Sequence, residues 1–194
     1  MTKVYFVRHA QPDHSWTEDK TRPLTTEGKK DVKSVLPVLK DKKIDAFYCS
    51  TYKRSYDTIA ETAQYYGKEI ITDSRLRERT SGPNGNNQGM FQKRWEDHSY
   101  HEEQGESLEM VQKRNIEALT EILEDNQGKN IVIGTHGTAL STILNYYDPT
   151  YDCNSFLRII DWMPYIIELD FEGTTLLSKT ELLHIEKEFK GRKG

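Results

Sequence analysis

Short apolar runs alternate along the chain with longer stretches whose apolar residues recur every three or four positions. Val4–Val7 is an unbroken apolar run, the pattern of a strand covered on both faces. After a polar, turn-rich stretch, Val32, Val35, Leu36 and Leu39 fall at helical spacing. Thr25 or Thr26 suits the cap of that helix and Glu27 its first turn, while Pro37 should kink or interrupt it. Ile44–Cys49 reads as a second strand, Tyr52–Tyr66 as a helix closed by Gly67, and Glu69–Thr72 as a third strand. Residues 79–105 show no clean period and read as a long irregular loop, glycine-rich at first and then aromatic and basic. Ser107 caps a helix with the stripe Leu108, Val111, Ala118, Leu119, Ile122 and Leu123, ending near Gly128. Ile131–Thr135 is another buried-looking strand, followed by a helix over 138–147. The final third offers three apolar runs, at 156–160, 165–171 and 174–181. The Glu172-Gly173 turn makes the last two a hairpin. The closing residues 187–194 read as a frayed, solvated tail.

Strands alternating with helices define an α/β fold: a three-layer sandwich with a mostly parallel sheet, an antiparallel edge strand and helices on both faces. The 194 residues suit one domain, spanning 1–194. A net charge of −4 gives no support for nucleic-acid binding. Two cysteines, Cys49 and Cys153, are too few for a disulfide framework and read as buried, inert thiols. With no membrane-length apolar run and no signal-peptide pattern, a soluble cytoplasmic protein with no membrane partner is expected.

Ligands of such sheets bind beyond the carboxyl ends of the strands, and four segments put chemistry there. Arg8 and His9 end the first strand in "VYFVRHA". Arg54 lies in the first helical turn after the second strand, and Glu78 follows the third across a short connection. His136 ends the strand in "IVIGTHG", and Gly137 opens the next helix with its N–H available to an anion. Taken singly, each has a bland reading: a structural histidine, an ion-paired arginine, a surface charge cluster. Together they place two arginine forks, two imidazoles and a carboxylate at one rim. The forks suit a phosphate dianion, a neutral imidazole is a competent nucleophile, and a carboxylate can protonate a leaving alkoxide. That set reads as phosphoryl transfer through a phosphohistidine.

"RHA" at 8–10, "RSYDT" at 54–58, "LRE" at 76–78, "GES" at 105–107 and "THG" at 135–137 resemble the histidine phosphatase superfamily, in its order. The resemblance implies a phosphoglycerate mutase-like fold, His9 as the phosphorylated nucleophile and Glu78 as the proton donor. It also implies Arg8, Arg54 and His136 as the phosphate clamp. Two positions depart from the family pattern: Ala10 replaces the usual glycine, and Ser15 stands where the family places an asparagine ligand. Ser15 is carried as a phosphate donor of shorter reach.

A metal-independent phosphatase is expected, with no metal or cofactor, because no His and carboxylate spacing matches a metal signature. Phosphoglycerate mutase-type transfer is the alternative, but the inserted segment and the aromatic-basic pattern of family mutases are missing after Glu78. A catalytically silent module that holds a phosphorylated ligand is a third reading. The 79–105 loop should set the substrate, with Met90, Phe91 and Trp95 as an apolar wall and Lys93 and Arg94 attracting a second anion. Equally, Phe91 and Trp95 can pin that loop to the core. The tyrosines at 65, 66, 146 and 147 read as interhelical packing. The partner is a small phosphorylated substrate; a sugar phosphate, nucleotide, phosphoacid and phosphoprotein stay open, as does the oligomeric state.

Overall fold

A computed structural model describes residues 1–83 and 85–191. Its sheet is formed by β1 (Thr2–Arg8), β2 (Ala46–Cys49), β3 (Ile70–Thr72), β4 (Asn130–Thr135), β5 (Trp162–Glu172) and β6 (Thr175–Glu186). The spatial order is β3-β2-β4-β1-β5-β6. The first four strands in that order run parallel, and β5 and β6 add the antiparallel hairpin at one edge.

Successive side chains of a strand point to opposite faces, so β1 needs apolar residues at every position to fill two cores. Val4 and Phe6 join Ile131 and Ile133 under α5 (Leu108–Asp125), α6 (Gly137–Tyr147) and α7 (Cys153–Ile159). Tyr5 and Val7 join Phe47 and Val132 on the other face, under α2 (Val35–Leu39) and α3 (Lys53–Tyr65); α1 (Thr26–Asp31) precedes α2 in the chain. Phe6 and Val7 are fully buried, each contributing about 1.5–3 kcal/mol by transfer from water.

Local signals place most boundaries. Thr25 caps α1 by accepting from Gly28 N, and Ser107 caps α5 by accepting from Met110 N. Gly67 and Gly128 follow α3 and α5 at φ 62° and 75°, a left-handed conformation that glycine adopts without strain. The interruption expected from Pro37 lies one turn upstream, as a 3-10 turn over Val32–Ser34 between α1 and α2. Proline has no N–H for the carbonyl four residues back and its ring crowds that carbonyl, so the break precedes it.

Three expectations fail. The 79–105 loop holds a helix, α4 (Gln88–Glu96), capped by Asn87, whose side chain accepts from Met90 N. The run at 156–160 belongs to α7, which opens with a capping box between Asp152 and Ser155. The tail is pinned as far as Phe189: Lys187 N donates to Asp161 O at 2.8 Å and Phe189 N to Asp161 Oδ1 at 2.9 Å. Residues 192–194 of that expected tail lie outside the described residues. Smaller corrections concern single side chains. Tyr66 and Tyr147 pack against the cores, but Tyr65 and Tyr146 are exposed. Cys49 is buried, and burial pushes its thiol up to about 12; Cys153 is only half-buried. Among the described residues, no helix is long and apolar enough to cross a membrane.

Candidate active site

The carboxyl ends of β1, β2 and β4 meet at one rim. His9 N donates to Thr135 O and Ser50 N to Gly134 O, which holds the three strand exits in register. A small pocket opens there, with a cavity volume of about 80 Å³. Arg8, His9, Arg54, Glu78 and Gly137 line it, and His136 stands beside His9 with ring centroids 5.2 Å apart. All five catalytic candidates therefore come together.

His9 Nδ1 lies 2.7 Å from the carbonyl oxygen of Ala10. A carbonyl only accepts, so Nδ1 carries the proton and Nε2 keeps its lone pair. Ala10 is itself held: its N–H donates to Thr58 Oγ1, and Thr58 Oγ1 donates to the carbonyl of Arg54. Burial, then the charges of Arg54 and Arg8, hold His9 well below the ordinary histidine range. His136 is held low by burial and then by Arg54, and neither of its buried ring nitrogens has a hydrogen-bond partner among the described residues. Both imidazoles are neutral near pH 7.

Arg8 is oriented by three carbonyls, those of Ile159 at 2.6 Å, Ile160 at 2.9 Å and Trp162 at 3.3 Å. Burial lowers it to about 10, so it stays cationic. A Cβ at Gly137 would lie 2.8–3.0 Å from this guanidinium, so only glycine lets the start of α6 approach Arg8. Arg54 is paired with Asp19, through Nη1 to the carbonyl at 2.7 Å and Nη2 to Oδ1 at 3.0 Å. Glu78 Oε2 accepts from Thr138 N, and Oε1 from Ala139 N and Arg79 N, so the positive end of α6 faces this carboxylate.

Ser15 is not brought into the pocket. Its N–H and hydroxyl both donate to Asp13 Oδ1, a tight turn that points the side chain to solvent. The next residue back, His14, lines the pocket instead, together with Asp19, Arg22, Arg79, Ser81 and Asn86. Burial, then Arg22 and Arg54, lower His14 to about 4. The opposite wall is apolar: Phe91, Phe156, Ile160 and Phe189. Phe91 thus both lines the site and packs with Trp95 on Leu108 and Phe156, whereas Met90 and Trp95 do not line it. Lys93 sits over the Tyr100 ring, and Arg94 is buried beneath the loop with Nη2 on Asn86 Oδ1. The wall of Phe189 has no local signal in the tail sequence. The polar residues from His14 to Arg22 were visible as a turn-rich stretch, without any sign of which faced inward. Among the described residues, no three His, Cys, Asp or Glu side chains cluster as a metal would require.

Two arginines, two imidazoles and a carboxylate thus meet at one rim of a sheet with the phosphoglycerate mutase-like fold. The description of the histidine phosphatase superfamily (branch 1) matches residues 4–161, and the chain belongs to that family. A relative from Escherichia coli O139:H28, "Probable phosphoglycerate mutase GpmB", is 28% identical over 168 residues, covering 75% of this chain and 74% of that protein. Among solved structures, YhfR of Bacillus stearothermophilus superposes with a TM-score of 0.76 at 22% identity, covering 100% of this chain and 98% of the other. Phosphoserine phosphatase of Entamoeba histolytica, solved in complex with 3-phosphoglyceric acid, gives 0.73 at 20% identity, covering 97% and 99%.

Proposed function

We propose that the protein is a metal-independent phosphatase that hydrolyses small phosphomonoesters through a phosphohistidine on His9. The observation that carries the reading is the hydrogen bond from His9 Nδ1 to the Ala10 carbonyl, which leaves Nε2 as a free nucleophile in a pocket lined by Arg8 and Arg54. The substrate phosphate docks between Arg8, Arg54 and His136, whose unpartnered ring N–H suits one of its oxygens. Nε2 attacks phosphorus while the P–O bond to the leaving group breaks, and Glu78 relays to that oxygen the proton that a monoanionic phosphomonoester brings with it. Glu78 then takes a proton from water, the water oxygen bonds to phosphorus, and the N–P bond breaks to release inorganic phosphate. Positioning and charge stabilisation do the rest. Both arginines are preorganised by protein partners, so little reorganisation is needed at the moment of reaction. The pocket's size favours a small molecule, with an apolar flank toward Phe91, Phe156 and Phe189 and a cationic flank at Arg22 and Arg79.

Mutase-type transfer is the second reading, favoured by the relative from Escherichia coli and its printed name. One series separates the readings: hydrolysis of an aryl phosphate with excess EDTA, wild type against His9→Ala, with 2- and 3-phosphoglycerate interconversion run alongside. Chelator-resistant release of phosphate that His9→Ala abolishes is the expected result. Interconversion faster than phosphate release would favour the mutase. Phosphate binding without either activity would make the protein a silent binding module.

A further inference from the structure

Glu78 lies in a stretch without regular secondary structure, between a 3-10 turn at Ser74–Leu76 and α4. The first N–H groups of α6 hold its carboxylate, but its backbone, outside any helix or strand, needs an anchor of its own. One guanidinium, Arg114 on α5, gathers the backbone immediately before and at this residue. Its Nη1 donates to the carbonyls of Arg75 at 2.8 Å and Arg77 at 2.6 Å, and its Nη2 to the carbonyl of Glu78 at 3.0 Å. The same guanidinium forks onto Glu106, Nε to Oε2 at 3.0 Å and Nη2 to Oε1 at 2.8 Å. Glu106 Oε1 in turn accepts from Thr80 N at 2.9 Å, and Glu106 N donates to Thr80 O at 2.9 Å. The chain on both sides of Glu78 is thus tied to one ion pair that is itself largely buried, at 11% and 16% side-chain exposure. Burial works to raise Glu106, yet the hydrogen bonds from Arg114 and Thr80 hold it down to about 2, so the pair stays ionised over the working pH range.

We infer that the Arg114–Glu106 pair is a positioning element for Glu78, holding the acid–base carboxyl at the leaving-group side of the pocket without touching substrate. The inference rests on the proposed role of Glu78. It has a kinetic signature that general loss of structure lacks. A nitrophenolate leaves without a proton, whereas an alkoxide needs one, so misplacing the acid should cost only the second kind of substrate at the phosphorylation step. kcat/KM reports that step, because formation of phosphohistidine precedes the hydrolysis that also uses Glu78.

The test compares 4-nitrophenyl phosphate with glycerol 2-phosphate in wild type, Arg114→Met, Glu78→Gln and the double variant, with folding followed by circular dichroism. Arg114→Met should lower kcat/KM for the alkyl ester about 100-fold, within the range of a displaced general acid, and for the aryl ester by less than about fivefold. With 4-nitrophenyl phosphate it should also give a burst of nitrophenolate followed by slow turnover. Glu78→Gln should show the same discrimination, and the double variant should be no worse than Glu78→Gln alone. Equal loss with both substrates in Arg114→Met, while Glu78→Gln discriminates, overturns the inference and leaves the acid assignment standing. No discrimination in Glu78→Gln overturns that assignment and the inference with it. If Arg114→Met does not fold, Arg114→Lys keeps the charge, loses the fork and is read by the same criteria.

Discussion

Lowering the pH from 7 to 5 should destabilise the fold through His9 and His136. Both imidazoles are buried, at 4% and 0% exposure, and burial with the neighbouring arginines holds both well below the ordinary histidine value. In the unfolded chain a histidine titrates near 6.5, so by about pH 5 the unfolded state binds roughly one more proton per residue than the fold does. A state that binds more protons gains as pH falls, so folding stability is intact above about pH 6.5 and is lost progressively below it, until the folded-state groups themselves protonate. For a group that stays neutral in the fold, integration over those two pH units gives about 2 kcal/mol, which sets a ceiling of about 4 kcal/mol for the pair. That is a large share of the roughly 5–15 kcal/mol that stabilises a typical domain. His14, lowered to about 4, adds an effect of the same sign and, by the same integration, of nearly the same size. Carboxylates such as Glu106, held at about 2, lose their stabilisation only below the ordinary carboxylate range and so act later. Urea unfolding at pH 7, 6 and 5 measures the loss, and His136→Gln should remove about a third of it. Parallel pH dependences in wild type and variant, or imidazolium signals from His9 and His136 at pH 6 in the folded protein by NMR, would refute the reasoning.

Other perturbations read different parts of the site. Arg8→Met leaves three carbonyls at the end of α7 and the start of β5 without their donor; at about 1–3 kcal/mol per buried unpaired group, thermal unfolding should show a loss of about 3 kcal/mol alongside loss of turnover. Asp19→Asn removes a carboxylate that occupies Arg54 and Arg22, so inorganic phosphate should bind about tenfold tighter by calorimetry, or about 1.4 kcal/mol; weaker binding would mean that Asp19 orients Arg54 rather than competing for it. Phe189→Ala opens the apolar wall while the backbone bond to Asp161 persists, so KM for phenyl phosphate should rise about fivefold with kcat nearly unchanged; a fall in kcat alone would contradict the wall assignment.

What the sequence made legible follows from locality. An apolar run covered on both faces, a capping serine before a stripe and a left-handed glycine after one are signals contained in a few residues, and they located β1, β4, α3 and α5. The rule that parallel strands present ligands at their carboxyl ends then assembled Arg8, His9, Arg54, Glu78 and His136 before any contact was known. The misses share the opposite property. α4 was hidden because its inward stripe of Phe91, Arg94 and Trp95 contains a charge, which breaks an apolar period although Arg94 is 3% exposed. The tail looked solvated because its anchors, Asp161 and Gln11, lie far away in the chain. Ser15 and His14 exchanged places because a turn closed by Asp13 decides which of the two faces the pocket, and one residue of rotation is beyond pattern reading. Arg114 was invisible as a positioning group since a helix arginine is ordinarily solvated, and only the carbonyls of residues 75, 77 and 78 give it a task.

Rapid quenching of the enzyme with a radiolabelled phosphomonoester, followed by peptide mapping at alkaline pH, tests the phosphohistidine most directly. A phosphoramidate stable to base and labile to acid should form on the ring of His9, faster than steady-state turnover, and vanish in His9→Ala. Full turnover with no such adduct, or label on any other side chain, would contradict it.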